Sequence, residues 1–433
     1  MKAFVNLLSG VILISGMTAH AENWTLQSCI DYAIEHNLTV KQRAIDIKSQ
    51  ELGVTSAKSA YLPNLSANVG QSWNIGRGLT AENTYANRNT SNFQWGASLS
   101  LPVFNGLQTP RQVEYQKANL ATVIEQFETA KEDITLNVIT AYLQVLYSQE
   151  LHEVALQQVD LSTYELTRQE ALLEAGKIPE VDMLSAKSQL AQDEYNAART
   201  ANDVHLAKLD LAQLLELKDP ETMNVEPLSE SESTLLPASE VYEQALYNNH
   251  QLKAARNNIF TQDRNIALAK TGYIPSLSFN AGIGSSYYKI SGFDNESFGK
   301  QMKNNYSTYF GFSLNIPIFD AFSTRNSVNR AKVQKISAQL QYDEAQLNLF
   351  KAIQQAYYQA DGAQKKLTAS IVADETAQKT FEAMREKYNL GRATPQEYEQ
   401  AKTKALTATS ERIQAQYELI LRARILRFYA NQN

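Results

Sequence analysis

The chain has 433 residues, a net charge of −6 and one cysteine, Cys29. The acidic balance argues against nucleic acid as a partner, because binding to phosphates needs clustered lysine and arginine. A single cysteine excludes an intrachain disulfide and any zinc or iron–sulfur site built on cysteines. The five histidines lack metal-ligand spacing, so we expect neither a metal nor another cofactor.

The first 21 residues are typical of an export signal. Lys2 supplies the positive charge, Val5–Met17 is the apolar stretch, and Ala19–Ala21 is a small-residue cleavage site that leaves Glu22 as the first mature residue. The apolar stretch is shorter than the roughly 20 residues of a membrane-spanning helix, and no other stretch is long and apolar enough. We therefore expect an exported protein without a transmembrane helix.

An internal repeat fills almost all of the mature chain. The 14 residues that begin at Ala57 return 212 positions later at Ala269, with eight identities. Further matching landmarks lie 215 positions apart: Leu101–Phe104 with Ile316–Phe319, Ala141 with Ala356, Gly176 with Gly391, and Lys187 with Lys402. A period this long excludes a solenoid. The sequence instead predicts two copies of one unit.

The predicted boundaries place the first copy at 22–217 and the second at 238–433. An acidic segment with three prolines, 218–237, links them and is expected to be irregular. Long stretches without helix breakers predict most of each copy to be helical. The expected helices are at about 26–61, 107–175, 180–217, 239–273, 322–390 and 396–429.

Two segments in each copy alternate between apolar and small polar residues, as Leu65, Ala67 and Val69 do with the residues between them. This period-two pattern predicts strands with one apolar and one polar face. The expected strands are at about 63–76, 91–104, 275–290 and 305–319. Their length suits membrane strands of about 9–11 residues. A half-buried hairpin of a soluble protein would show the same alternation, so the strands alone leave that alternative open.

If the strands cross a membrane, four per chain are too few for a barrel. The smallest membrane barrels have about eight strands, and an open sheet edge in lipid leaves backbone groups unpaired at several kcal/mol each. Oligomerisation is therefore expected, and a trimer would supply twelve strands. The polar loops Gly76–Asn92 and Ser291–Asn304 join the paired strands, and we expect them to face the cell exterior.

In this order, the features resemble the TolC-type outer-membrane efflux proteins. The export signal, the duplicated helix–strand–strand–helix unit, the strand entries Tyr61–Pro63 and Tyr273–Pro275, and the glycine tips carry the resemblance over the mature chain. It implies a mixed α/β fold: a homotrimer whose 12-stranded outer-membrane β-barrel continues into a long periplasmic α-helical barrel. The implied role is a passive exit duct for drugs, other small molecules or proteins.

The resemblance also implies partners and a periplasmic gate. The partners are outer-membrane lipid, a periplasmic adaptor and an inner-membrane pump of the resistance-nodulation-division or ABC type. The family's acidic constriction falls on Glu397, with Gln400 at its second acidic position and Asp182 as the counterpart in the first copy. Its gating tyrosine falls on Tyr388, and Arg392 stands one residue before the position of the family's tip arginine. The expected adaptor contacts are Gly176, Lys177, Gly391 and Arg392.

The residues themselves leave another interpretation of three features open: the acidic residues near the tips, Cys29 and the long helices. Asp182 and Glu397 also suit the first turn of a helix, where acids favour the helix dipole. Cys29 follows a weak lipidation motif, but its counterpart Val241 predicts an ordinary buried position. No catalytic motif points to an enzyme. An exported coiled-coil scaffold would explain the helices but not the duplicated strands.

Overall fold

The computed structural model describes residues 23–79, 83–220, 223–228 and 235–430, so the predicted export signal lies outside the described residues. The first copy begins with two short helices and continues through strands into two long helices. Its elements are β1 (Asn23–Trp24), α1 (Leu26–His36), α2 (Leu38–Ser59), β2 (Asn64–Asn74), β3 (Arg77–Leu79), β4 (Tyr85–Asn87), β5 (Thr90–Asn105), α3 (Gln108–Glu174) and α4 (Glu180–Leu214).

The second copy repeats this order, and the duplicated helix–strand–strand–helix unit is confirmed. After strand β6 (Asn224–Val225) of the linker, its elements are α5 (Ala238–Asn248), α6 (His250–Ala269), β7 (Ser276–Ile290), α7 (Phe298–Asn304), β8 (Ser307–Asn315), α8 (Ser323–Asn389) and α9 (Pro395–Tyr429). Helices α3 and α8 have 67 residues each, which corresponds to roughly 100 Å of helix.

The helix expected at 26–61 is interrupted at Asn37. The Asn37 side chain accepts a hydrogen bond from the amide of Thr39 at 2.9 Å and donates one to the carbonyl of Leu214 at 3.1 Å. An asparagine that binds nearby backbone competes with the helical pattern, so the chain turns there. The second copy also breaks at an asparagine, Asn249, within the helix expected at 239–273.

The linker is not wholly irregular, because β6 pairs in parallel with β1. The hydroxyl of Tyr142 donates to the carbonyls of Trp24 and Glu226, at 3.0 and 2.7 Å. Tyr142 is 1% exposed, and burial raises the pKa of its phenol. This buried side chain therefore ties helix α3 to the start of the first copy at Trp24 and to the linker at Glu226.

The chain forms two compact units. One contains the described residues of 1–44, 127–249 and 346–433, and the other contains those of 45–126 and 250–345. The core of the first unit packs Val138, Tyr142 and Val145 of α3 against α1 and α4. In the described part of the chain, no helix is both long and apolar enough to cross a membrane.

The second unit contains an antiparallel sheet with strand order β2-β5-β7-β8. Its register places apolar residues opposite one another, as in Leu65 with Leu99 and Phe279 with Phe312. Polar and small residues likewise share the other face, as in Ser66 with Ser98. The last strand, expected over 305–319, ends at Asn315, two residues before a proline that cannot donate to a strand ladder.

The loop expected at 291–304 contains helix α7. Phe298 packs its ring against Phe93 and Tyr287, with ring centroids 5.5 and 5.1 Å apart. The side chain of Gln301 hydrogen-bonds both the amide and the carbonyl of Tyr288. These contacts hold the segment against the part of β7 that extends beyond β8.

Candidate functional site

Two glycine turns join the long helices in pairs: one joins α3 to α4 and the other joins α8 to α9. Gly176 and Gly391 adopt φ values of +67° and +69°, a left-handed conformation that glycine reaches without steric cost. In the first turn the amide of Lys177 donates to the carbonyl of Leu172 at 2.9 Å, and Arg392 makes the equivalent bond at 2.8 Å in the second. Each is a Schellman ending, which satisfies terminal carbonyls of the helix.

After the second turn, Glu397 belongs to a capping box. Its carboxylate accepts hydrogen bonds from the amide and the hydroxyl of Thr394, at 2.8 and 2.9 Å, and its own amide donates to the Thr394 hydroxyl. The backbone bond and then the side-chain bond hold the pKa of Glu397 below its usual value. The T-x-x-E signature of this motif is present in the sequence at Thr394–Glu397 and could have predicted the capping box.

The first copy begins its return helix differently. Pro179 occupies the cap position of α4 and offers no side-chain hydrogen bond, so Asp182 stands in the first turn without a capping box. Asp182 is half-buried, whereas Glu397 and Gln400 are exposed. Two acidic residues at equivalent positions of the repeat therefore have different surroundings.

Tyr388 connects the two copies near the tips. Its hydroxyl accepts a 2.6 Å hydrogen bond from the Gln169 amide, and its ring stacks on Tyr398 at 4.8 Å. The Arg168 guanidinium lies 5.0 Å from the centre of the ring and pairs with Glu165. Burial, followed by the nearby charge of Glu165, raises the pKa of Tyr388.

The two basic tip residues do not take part in this cluster. Lys177 and Arg392 are exposed. Within the described residues, neither side chain forms a hydrogen bond or an ion pair. Of the residues that the sequence assigned to the gate, only Tyr388 has contacts that join one hairpin to the other.

A buried ion pair lies near the same cluster, and no local pattern in the sequence predicts it. The ammonium of Lys402 is 2.7 Å from the Ser162 hydroxyl and 3.3 Å from the Asp193 carboxylate. Lys402 and Asp193 are each 5% exposed at the side chain. In the sequence, Lys402 is recognisable only as a landmark of the repeat, because its partners lie more than 200 positions away.

The apolar face of the sheet is uncovered over most of its area. Val69 is 72% exposed and Phe310 is 79% exposed, values far from those of a soluble core. The strand order makes β2 and β8 the outer strands. An uncovered apolar face of this size indicates an interaction with lipid or with another chain.

Cys29 behaves as a buried apolar residue. It is 0% exposed and forms no disulfide. Burial raises the pKa of its thiol to about 12. The expectation of a buried small side chain at this position is thus confirmed.

Long helices that end in glycine tips, together with a sheet whose apolar face is uncovered, define a subunit of an outer-membrane channel. The chain belongs to the outer membrane efflux protein family, whose model matches residues 29–216 and 241–432. This membership confirms the resemblance seen in the sequence. It leaves the coiled-coil scaffold without support.

Similar proteins cover nearly the whole chain. Outer membrane efflux protein BepC of Brucella suis is 23% identical over 96% of this chain and 86% of its own length. Outer membrane protein TolC of Escherichia coli is 23% identical over 97% of this chain and 85% of its own. The structure of the Campylobacter jejuni CmeC outer membrane channel superposes with a TM-score of 0.77 at 16% identity, covering 94% of this chain and 86% of that one.

The family assignment defines the place and class of activity. The protein is an outer-membrane efflux channel that extends into the periplasm. The family acts with adaptor and inner-membrane pump components in tripartite systems, and its members are channel proteins.

Proposed function

We propose that three copies of this chain close one 12-stranded barrel and form a passive exit duct. The observation that carries the proposal is the four-stranded sheet with outer strands β2 and β8 and an uncovered apolar face. In lipid, the outer edges need partners, and a neighbouring copy supplies them. The apolar face then meets lipid, while the face that carries Ser66 and Ser98 lines the lumen.

The test uses full-length protein extracted from outer membranes in mild detergent. Native mass spectrometry should find a trimer, and the same preparation should form pores in planar lipid bilayers. A stable monomer without pore activity would contradict the proposal.

The gate is assigned to the far ends of the long helices. Each chain has two tips, so a trimer brings together six. Three copies of Glu397, and three of Asp182, would stand around one axis and repel each other, so a closed tip needs restraint. Tyr388 supports this role because it hydrogen-bonds Gln169 of the other hairpin. Because Gln400 stands at the family's second acidic position, the three α9 helices would contribute one acidic ring at the gate, that of Glu397, instead of two.

The same tips would receive the periplasmic adaptor. Gly176, Lys177, Gly391 and Arg392 are all exposed there. The side chains of Lys177 and Arg392 are free to pair with acidic groups of a partner. Adaptor binding would replace the closed contacts and let the tips separate. The pump would be of the resistance-nodulation-division or ABC type, and the cargo drugs, other small molecules or proteins.

A further inference from the structure

The buried ion pair of Lys402 joins three helices at one point. Lys402 lies on α9, Ser162 on α3 and Asp193 on α4. The Lys402 ammonium donates to the Ser162 hydroxyl at 2.7 Å, and that hydroxyl donates to Asp193. Gln189 donates to the second oxygen of the Asp193 carboxylate at 3.1 Å. We call Lys402, Asp193 and Ser162 the three-helix clamp.

An apolar cluster lies next to the clamp. It contains Phe381 of α8 and Tyr398, Ala405 and Ala408 of α9, and Leu161 and Ala401, which precede Ser162 and Lys402 in the chain, pack against it. Glu399 is 3.7 Å from the Lys402 ammonium, and burial raises the pKa of the Glu399 carboxyl. Electrostatic attraction between charges is stronger in such surroundings, and an unpaired charge there is strongly disfavoured.

The clamp occurs once per chain, because the two copies of the repeat differ at its positions. Lys187, the counterpart of Lys402, is exposed. Ala377 and Ala408 stand 215 positions after Ser162 and Asp193. The clamp therefore connects α9 of the second copy to the α3–α4 hairpin of the first. Among the described residues, Lys187 of α4 makes no equivalent connection to the α8–α9 hairpin.

We propose that the three-helix clamp positions the α8–α9 hairpin and serves as the fixed point about which its tip moves when the channel opens. The proposal rests on the gate assigned above. The contact between Tyr388 and Gln169 is a hydrogen bond between neutral groups, whereas separating the clamp would leave buried charges without partners. The weaker contact opens first, so the moving segment lies on the tip side of Lys402.

Hydrogen exchange on the full-length trimer tests the position of the fixed point. The tip is loosened with Tyr388→Phe, which removes the hydrogen bond to Gln169, and the conductance of this variant is measured in the same preparation. Amides at 398–401 should exchange about fivefold faster than in the wild type, while those at 403–415 should change less than about twofold. Faster exchange on both sides of Lys402 would overturn the fixed point.

A second comparison tests the clamp without relying on the gate. Lys402→Met should speed exchange about tenfold in α3 around Ser162 and in α4 around Asp193, because Asp193 loses its counter-ion. Lys402→Arg retains the charge and should restore exchange toward the wild-type rate. Lys187→Met is the matched control from the other copy and should leave exchange unchanged.

The two sets of results separate the two proposals. If Tyr388→Phe does not raise conductance, the gate at Tyr388 is wrong, and the clamp is judged by Lys402→Met alone. If Lys402→Met fails to assemble, Ser162→Ala, which keeps the ion pair and removes the bridging hydroxyl, should still raise exchange in α4 and α9. Unchanged exchange in α3 and α4 of an assembled Lys402→Met trimer, or in α4 and α9 of an assembled Ser162→Ala trimer, would overturn the clamp.

Discussion

The side chain of Gln169 donates a 2.6 Å hydrogen bond to the hydroxyl of Tyr388, although the two residues are 219 positions apart in the chain. Gln169 is buried and also donates to Glu165 at 3.1 Å. The bond therefore joins the end of α3 to the end of α8 through a side chain with little freedom of its own. A restraint of this kind can keep a tip closed and still be broken when a partner binds.

Replacing Tyr388 by phenylalanine should raise the resting conductance of the trimer in planar bilayers. The variant loses the hydroxyl but keeps the ring that stacks on Tyr398. Losing one neutral hydrogen bond costs about 1 kcal/mol, which shifts an opening equilibrium about fivefold. Tyr195→Phe is the control, because Tyr195 is an exposed tyrosine of α4. Equal conductance for both variants and the wild type would remove Tyr388 from the gate.

Glu397→Gln separates the capping role of this residue from its charge. Glutamine at the third helical position can still close a capping box, so the start of α9 should remain intact. The lost negative charge should reduce the preference of the pore for cations, measured as a reversal potential in a salt gradient. Thr394→Ala is the complementary variant: it removes the cap and keeps the charge, and should leave selectivity unchanged. The opposite pattern would assign Glu397 a purely structural role.

Cation selectivity should also depend on pH in a defined direction. The hydrogen bonds from Thr394 hold the pKa of Glu397 below its usual value. A lowered pKa keeps the carboxylate charged as the pH falls from 7 to about 5, and protonation follows only at lower pH. Repulsion among the three carboxylates of the proposed ring raises the pKa and opposes this effect, so Thr394→Ala is the comparison. Without the hydrogen bond from the Thr394 hydroxyl, selectivity should be lost at a higher pH than in the wild type as the pH is lowered, and an equal pH dependence would point to another group.

Lysine substitutions at neighbouring residues of β8 should distinguish the two faces of the sheet. Phe312 belongs to the apolar face and Ser313 to the polar one. Lysine on the lipid face of a barrel costs about 2–4 kcal/mol near the bilayer midplane. Phe312→Lys should thus lower the amount of trimer in the outer membrane, and Ser313→Lys should assemble normally. Equal losses would mean that the faces are not divided between lipid and lumen.

An epitope inserted near Asn87 tests the orientation of the sheet. Asn87 is exposed in the β3–β4 hairpin, which connects β2 to β5. The longer loops of outer-membrane barrels face the exterior. Antibody should bind to intact cells, and binding only after the outer membrane has been permeabilised would reverse the orientation.

The parts of the fold that depend on local pattern could be predicted from the sequence. Alternation at Leu65, Ala67 and Val69 predicts a strand because side chains in a strand point to opposite faces. Gly176 and Gly391 predict the tips because glycine reaches the left-handed conformation that ends a helix. These signals lie within a few residues of the structure that they specify, and the repeat presents each of them twice.

Features that depend on distant contacts could not be predicted in this way. The break at Asn37 uses the carbonyl of Leu214, and Lys402 finds its partners at Ser162 and Asp193, on other helices. A lysine in a helical stretch is usually exposed, as Lys187 is. Only the fold shows that the second lysine of the repeated pair is buried beside a carboxylate.

The most direct test of the account is closure of one barrel by three chains. Asn68→Cys on β2 and Ser313→Cys on β8 are combined in one chain and treated in outer membranes with a bismaleimide that spans less than 10 Å. Cys29 is buried and has a thiol pKa of about 12, so it should not react. Within a chain, β2 and β8 are three strand spacings apart, about 14 Å, so the reagent can join only neighbouring chains. Covalent trimers from the double variant, with none from either single variant, are the predicted result; monomers alone would contradict the account.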